Sequence, residues 1–156
     1  MSDHETFLRE AIALARDNIQ AGGTAYGSVI VRDGEVIARA ANQVHATNDP
    51  TAHAESLALR EAGRVLGRPK LEDCIVYASG RPCPMCHAAM RLAGIREAYF
   101  AFTAEEAEAH GAGSAGIYAE LCLPPAEQPM QVRHRPPPGE AAPYADWAAR
   151  RDRGAD

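Results

Sequence analysis

Residues 48–55 are Asn-Asp-Pro-Thr-Ala-His-Ala-Glu, and residues 82–86 are Pro-Cys-Pro-Met-Cys. Each stretch places turn-forming residues directly before a helical pattern, so each predicts the start of a helix. His53, Cys83 and Cys86 then lie at the beginnings of two helices and offer one imidazole and two thiolates. Such side chains bind zinc, and three protein ligands leave the fourth tetrahedral position open for water. The two stretches therefore predict a metal site shared by two helix starts.

Glu55 follows His53 by two residues and offers the carboxylic acid that a metal-activated water needs as a proton carrier. In a regular helix these two side chains would be roughly 200° apart around the axis. Both can face one cavity only if the first helical turn points its end at the metal. A structural zinc site normally has four protein ligands. The remaining candidates for a fourth ligand lie at no standard spacing from the other three: His45, Cys74, His87, His110 and Cys122. A catalytic site is therefore the favoured interpretation.

Helical and strand patterns alternate outward from these stretches. Apolar residues recur at helical spacing from Phe7 to Ile19, and the pair Asp33-Gly34 joins two β-rich runs in a hairpin. We predict strands over 26–32, 35–41, 74–79 and 98–103, and helices over 7–19, 52–65, 83–93 and 144–153. For residues 104–116 we expect the end of a helix and a mobile loop. The alternation predicts an α/β fold, a three-layer α/β/α sandwich with parallel pairing after the hairpin.

The composition is that of one globular domain over residues 1–156, since 46% of the residues are apolar and 24% are charged. Residues 1–20 carry several charges and no long apolar run, so we expect no signal peptide, no membrane segment and a cytoplasmic location. The formal net charge of −5 lacks the basic excess of proteins that grip a phosphate backbone. We therefore expect no nucleic-acid partner.

With these motifs the chain resembles the cytidine deaminase superfamily, and within it the short bacterial guanine deaminases. The similarity is specific in the two quoted stretches and weaker in residues 26–31, 117–120 and 143–147. It implies a five-stranded mixed sheet between helices and a homodimer. It also implies a C-terminal tail, about residues 136–156, that can cross to the partner subunit and cover its active site. The implied reaction is zinc-dependent hydrolytic removal of an amino group from a nucleobase or nucleoside, with guanine or a related aminopurine as the closest match.

By position, the resemblance implies that the three candidate ligands bind Zn²⁺ and that Glu55 carries the proton. Asn42 corresponds to the family asparagine that hydrogen-bonds the base, and Ala54 offers a backbone N–H toward the ring. The implied substrate-binding residues are Tyr26, Asn42, Ala54, Ser114, Tyr144 and Trp147. For the tyrosine at position 26, core packing with the hydroxyl at the edge is an equal alternative.

Two departures from the guanine deaminase pattern affect the choice of substrate. Acidic residues usually precede the Ile-Tyr-x-Glu segment in that family, and this chain has Gly113 and Ser114 there. A hydroxyl accepts one hydrogen bond and cannot grip the N–H donors of guanine as a carboxylate does. Glu108 or His110 would fill the role if the loop had a different register. Arg81, where the family commonly has glutamate, is the second departure.

Other functions share these motifs. A transfer-RNA adenosine deaminase has the same two stretches, although the acidic balance and residues 143–147 disfavour it. Deaminases of cytosine or of a triazine are further alternatives, and a zinc-stabilised binding module without turnover is the remote one. Glu55 argues against that last alternative because a structural zinc site needs no proton carrier.

Overall fold

The structure, a computed structural model, describes residues 3–153. Seven helices and four strands are found in this range. In chain order they are α1 (Asp3–Gln20), β1 (Gly27–Arg32), β2 (Glu35–Ala41), α2 (Val44–Thr47), α3 (Ala54–Leu66), β3 (Cys74–Gly80), α4 (Pro84–Leu92), β4 (Glu97–Phe102), α5 (Ala104–Glu108), α6 (Ala115–Leu121) and α7 (Tyr144–Arg153). Within these described residues no helix is both long enough and apolar enough to cross a membrane.

The strands form one mixed sheet in the order β2-β1-β3-β4. The predicted hairpin joins β1 to β2, and Asp33 and Gly34 in its turn have φ of 52° and 79°. Positive φ at both central residues is the requirement of a type I′ turn, which matches the twist of the paired strands. The predicted parallel pairing is found between β3 and β4. It is wrong for β3 and β1, which pair antiparallel because β3 joins the sheet beside β1 rather than beside β2.

The sheet has four strands in the described residues, so the expectation of five is wrong. The four strands predicted from residue patterns are all present, and the fifth was implied only by the resemblance. After β4 the chain forms α5 and α6 and then a segment with no strand before α7. That segment is rich in proline, which has no backbone N–H to donate to a neighbouring strand. The side chain of Val132 within it is 82% exposed, so it has no buried face of the kind that fixes strand register.

Two apolar layers lie on opposite faces of the sheet and confirm the α/β/α sandwich. Val29 and Val31 of β1 pack against Ala11 of α1, together with Tyr77. Ile30, between them in sequence, faces the other way, because successive strand side chains alternate between faces. On that second face the core joins β1 and β3 to α3 and α4, and its buried members include Ile30, Ala58, Ala62, Val76 and Met90.

The chain forms two compact units, one ending at Cys122 and one beginning at Leu123. The first contains the sheet and helices α1 to α6, and the second contains α7. Residues 104–116 contain α5, which ends at Glu108, and a connection over 109–114 that leads into α6, so the expected helix end and loop are found there. The mobility of that loop stays a prediction. Thr103 and Glu106 form a capping box that starts α5. The prediction of a single domain with a covering tail stays a prediction.

Candidate active site

The two quoted stretches place His53 and Cys83 at equivalent positions of two helices. His53 is the residue immediately before α3 and has φ −72° and ψ 153°. Cys83 immediately precedes α4 and has φ −70° and ψ 168°, with Pro84 supplying the preformed first helical position. Both backbones are extended, and neither side chain caps its own helix. Each side chain is therefore free to turn toward the space between the two helix starts.

The three predicted metal ligands converge in that space. Nδ1 of His53 lies 3.4 Å from Sγ of Cys83 and 3.6 Å from Sγ of Cys86. All three potential ligand atoms lie within 4.8 Å of one another, and within the part of the chain that the structure describes no fourth ligand joins them. Cys86 is fully buried, whereas His53 and Cys83 are half-buried. One nitrogen and two sulfurs, with a position left open, are a donor set that fits a catalytic zinc ion.

Protonation in this cluster already favours a thiolate. The pKa of Cys83 is lowered to about 4 because its sulfur accepts hydrogen bonds from the Cys86 thiol and from His53. The pKa of Cys86 is raised, first because its thiol donates to Cys83 and then because it is buried near the Glu55 carboxyl. The hydrogen bond to Cys83 raises the pKa of His53 above its usual value. A cation placed here would meet a negative sulfur without further rearrangement.

Glu55 lies beside the cluster and is only 5% exposed. Its Oε2 atom lies 3.5 Å from Sγ of Cys86. Burial raises the pKa of Glu55, and the negative charge of Cys83 raises it further. A carboxyl group whose pKa moves toward neutrality can both take and return a proton, as general acid–base catalysis requires. The expected angular conflict with His53 does not arise, since His53 precedes the helix in an extended conformation and Glu55 lies inside it.

A cavity of about 430 Å³ opens in front of these groups. His53, Glu55 and Cys83 line it together with Asn42 and residues 111–114. We call residues 111–114, the last part of the connection from α5 to α6, the wall loop. Among the described residues that line the cavity, Glu55 is the only carboxylic acid. The wall that faces the metal cluster therefore carries no acidic group.

Asn42 is buried at the end of β2 and is fixed by backbone contacts. Its side-chain oxygen accepts the N–H of Val44 over 3.1 Å. Its own N–H donates to the carbonyl of Tyr26 over 3.0 Å. Because the side-chain oxygen is occupied, the amide NH₂ is left as the donor that a bound ring can use.

Tyr26, the residue immediately before β1, is bonded to the wall loop. Its hydroxyl donates to the carbonyl oxygen of Ala112, 86 residues away in sequence. Burial raises the pKa of Tyr26, and the nearby charges of Glu55 and Cys83 raise it further. The hydroxyl therefore stays protonated and able to donate. The structure places Tyr26 on the cavity wall, not in plain core packing.

The other predicted residues have different surroundings. Ser114 lines the cavity as part of the wall loop. Ala54 is fully buried as the first residue of α3, where backbone N–H groups have no acceptor within the helix. Tyr144 and Trp147 belong to α7 in the second compact unit, where their side chains are exposed. Their predicted contact with substrate stays a prediction.

Neither alternative acidic-loop residue lines the cavity. Glu108 directs Oε1 to the N–H of Ala115 over 2.9 Å, at the start of α6. His110 lines a separate, smaller cavity. Arg81 reaches the cavity edge, with its guanidinium 4.9 Å above the ring of Tyr118. Several lining residues were not among the predicted substrate-binding residues: Thr24, Val44, His45, Pro50, Met85 and Ile117. Three of these, Pro50, Met85 and Ile117, lie within the motifs quoted above, whereas Thr24 and Val44 lie in none of them.

Comparisons with known proteins agree with this geometry. Residues 1–102 match the family model of the cytidine and deoxycytidylate deaminase zinc-binding region. Guanine deaminase of Bacillus subtilis (strain 168) is 40% identical over 146 residues, which cover 93% of this chain and 94% of that protein. An X-ray structure of guanine deaminase from Bacillus subtilis superposes with a TM-score of 0.89 at 39% identity, covering 96% of this chain and 95% of the other.

A second group of relatives matches a shorter part of the chain. The tRNA-specific adenosine deaminase of Aquifex aeolicus (strain VF5) is 42% identical over 96 residues, which cover 62% of this chain and 64% of that protein. The match to guanine deaminase thus extends over about 50 more residues than this one. The chain therefore belongs to the cytidine and deoxycytidylate deaminase family and is a homologue of guanine deaminase.

Proposed function

We propose that this protein is a zinc-dependent hydrolase that removes the amino group of guanine or a closely related aminopurine and releases ammonia. The observation that carries the reaction is the buried carboxyl group of Glu55 beside the cluster of His53, Cys83 and Cys86, at one end of a single cavity. The preference for a free purine rests on the relationship to guanine deaminase, which spans 93% of the chain.

We assign His53, Cys83 and Cys86 as the zinc ligands. Their donor set fits this ion, and the pKa of Cys83, lowered to about 4 by hydrogen bonds from Cys86 and His53, favours the thiolate that zinc requires. When bound in a site with three protein ligands, zinc supplies the Lewis acidity that makes a water molecule nucleophilic near neutral pH. The Ser56 hydroxyl lies 3.6 Å from Sγ of Cys86, where it can hydrogen-bond a metal-bound sulfur.

Glu55 moves the protons of the reaction. Its carboxylate takes a proton from the attacking water as a new C–O bond forms at the amino-bearing ring carbon. It delivers this proton to the neighbouring ring nitrogen. It then takes the second proton from the newly attached hydroxyl and delivers it to the amino group, so the C–N bond breaks, ammonia leaves and the C–O bond becomes a carbonyl. The products are a ring carbonyl and ammonia, so the reaction consumes one water and no other reactant. The low exposure of Glu55 keeps these transfers away from bulk solvent.

Asn42 and the wall loop hold the ring in this proposal. The free NH₂ of Asn42 donates to an acceptor atom of the base, and the backbone N–H of Ala54 offers a second donor. Tyr26 keeps the wall loop against the cavity through the Ala112 carbonyl. The cavity volume of about 430 Å³ lies in the usual range for small-molecule sites, which suits a bicyclic base better than a polymer.

The assembly and partners are part of the same proposal. We infer a homodimer in which Tyr144 and Trp147 of the tail cover an active site, as the family resemblance implies. The net charge of −5 supports a free nucleobase or nucleoside rather than a nucleic acid as the partner. We also propose that the protein is cytoplasmic.

Ammonia release from a panel of substrates tests the proposal. The panel contains guanine, guanosine, adenine, cytosine, an aminotriazine and a transfer-RNA anticodon stem. We expect the highest kcat/KM on guanine or another free aminopurine. Turnover of the anticodon stem alone would instead identify a transfer-RNA deaminase, the function of the shorter-matching relatives.

A further inference from the structure

Asn18 joins two parts of the cavity wall from a position outside the cavity. It lies in the last turn of α1 and is 9% exposed. Its Nδ2 atom donates to the carbonyl oxygen of Thr24 over 2.8 Å and to that of Asn42 over 3.0 Å. Thr24 and Asn42 both line the cavity, whereas Asn18 does not. One buried amide therefore holds two lining residues that are 18 positions apart in sequence.

The turn after α1 is built around this amide. The N–H of Gly23 donates to the backbone carbonyl of Asn18 over 2.8 Å. A Cβ atom at position 23 would lie 2.5 Å from Nδ2 and 2.6 Å from Oδ1 of Asn18. Only glycine leaves room for the carboxamide in its present place. The packing therefore fixes where the two donated hydrogen bonds point.

The Asn18 hydrogen bond completes the backbone contacts of Asn42. The N–H of Asn42 and its side-chain oxygen already bond to Tyr26 and Val44. Its carbonyl oxygen accepts a hydrogen bond from the side-chain NH₂ group of Asn18. If that donor is lost, a buried carbonyl loses its partner, and the backbone moves to find another. Any such shift is transmitted to the amide that faces the ring.

We propose that Asn18 is a positioning residue for substrate binding, which sets the separation between the Thr24 turn and Asn42. This inference rests on the proposed function of the cavity. Asn18 acts through Asn42 and touches no reacting atom. Its loss removes binding that substrate and transition state share, so it raises KM more than it lowers kcat.

The decisive variant is Asn18→Asp, which keeps the shape of the side chain and removes both donated bonds. We expect KM to rise about tenfold, as for the loss of one well-placed polar contact, with kcat and zinc content close to those of the wild type. Leu8→Ala is the matched control, because it weakens the packing of α1 in the core cluster away from the cavity. It should lower Tm and leave KM unchanged.

A second variant covers the case in which Asn18→Asp does not fold. Gly23→Ala keeps every donor but forces the Asn18 carboxamide to move. It should raise KM in the same direction by a smaller factor. An unchanged KM in the folded Asn18 variant, or an equal KM increase in Leu8→Ala, would overturn the inference. If the aspartate variant does not fold, an unchanged KM in Gly23→Ala overturns it.

The two proposals fail separately in this experiment. The wild-type substrate panel is measured first and alone decides the proposed function. The Asn18 and Gly23 variants are then assayed on whichever ring the wild type deaminates best. A substrate other than guanine would thus correct the function and still test the role of Asn18.

Discussion

The helix starts at His53 and Cys83 and the wall loop line the same cavity, but they are built in different ways. The helix starts consist of residues close together in sequence, at equivalent positions of α3 and α4. Residues 111–113 of the wall loop are exposed, and the loop is held by the distant side chain of Tyr26 and by the bond of Glu108 to Ala115, the residue that follows the loop. The helix starts supply the reacting groups, and the wall loop forms part of the surface that a bound ring must fit.

Their electrostatics differ in the same way. The helix starts concentrate ionisable groups whose pKa values are shifted by burial and by mutual hydrogen bonds. The wall loop offers Gly113 and the hydroxyl of Ser114, which are neutral. Changes at the helix starts should therefore affect every substrate equally. Changes at the wall loop should alter the ratio between substrates.

The largest effect is expected from removal of the metal. Cys86→Ser places a poor zinc ligand at the fully buried corner of the cluster, so zinc content and turnover should fall together on every substrate. Zinc per chain is measured alongside ammonia release. Cys122→Ser, which changes an exposed free thiol, should retain both. Full activity in a folded, zinc-free Cys86 variant would contradict the assignment.

Glu55→Gln should remove the proton carrier and leave the metal in place. We expect a loss of roughly a hundred- to ten-thousand-fold in kcat on all substrates, the usual range for a general acid–base group. Zinc content should match the wild type, which separates this variant from Cys86→Ser. A normal rate would show that another group carries the proton.

The contrast between the two regions explains what the sequence predicted well. His53, Glu55, Cys83 and Cys86 could be placed near helix starts because Pro50, Pro82 and the turn residues around them act over a few positions. The hairpin at Asp33-Gly34 and the other strands were predictable for the same reason. Local chemistry determines these elements, and the resemblance then supplied their roles.

A loop within residues 104–116 was predicted, but the contacts that hold the wall loop were not, because they depend on how separate elements meet. The hydrogen bond from Tyr26 to Ala112 joins residues 86 positions apart, and no sequence pattern near either residue predicts it. The use of Glu108 to cap the start of α6 likewise depends on how α5 and α6 meet. The prediction of a fifth strand was wrong for a different reason. It came from the family resemblance, whereas the prolines late in this chain have no backbone N–H to donate to a sheet.

An acidic group on the wall loop should change substrate preference. Ser114→Asp places a carboxylate on a wall that has none, where it can accept hydrogen bonds from the N–H groups of guanine. We expect kcat/KM on guanine, relative to kcat/KM on the other rings, to rise several-fold. A gain of this order is what one hydrogen bond to a charged group contributes. The ratio is measured from ammonia release on each ring.

Position 113 supplies the matched comparison for that variant. A Cβ atom there would lie 1.9 Å from Cγ of Glu108, so Gly113→Asp must displace the Glu108 side chain from the start of α6. It should disturb the loop and so affect kcat/KM on all substrates alike, without raising the preference for guanine. No change in the Ser114 variant would mean that another residue holds the N–H edge of the base.

The smallest effect is expected at the hydrogen bond between Tyr26 and the wall loop. Tyr26→Phe keeps the ring on the cavity wall and removes the hydroxyl that donates to Ala112. Loss of one neutral hydrogen bond costs about 0.5–1.5 kcal/mol, which corresponds to roughly a two- to tenfold change in KM.

Because the Tyr26 hydroxyl bonds to the wall loop and is not one of the zinc ligands, zinc content should stay unchanged, and the KM change should differ between substrates. Tyr99→Phe is the control, since the Tyr99 hydroxyl bonds to Glu97 and does not line the cavity. An equal fall in kcat on every ring for Tyr26→Phe would place the hydroxyl with the reacting groups. Tyr26 would then act in the reaction itself and not only in the choice of substrate.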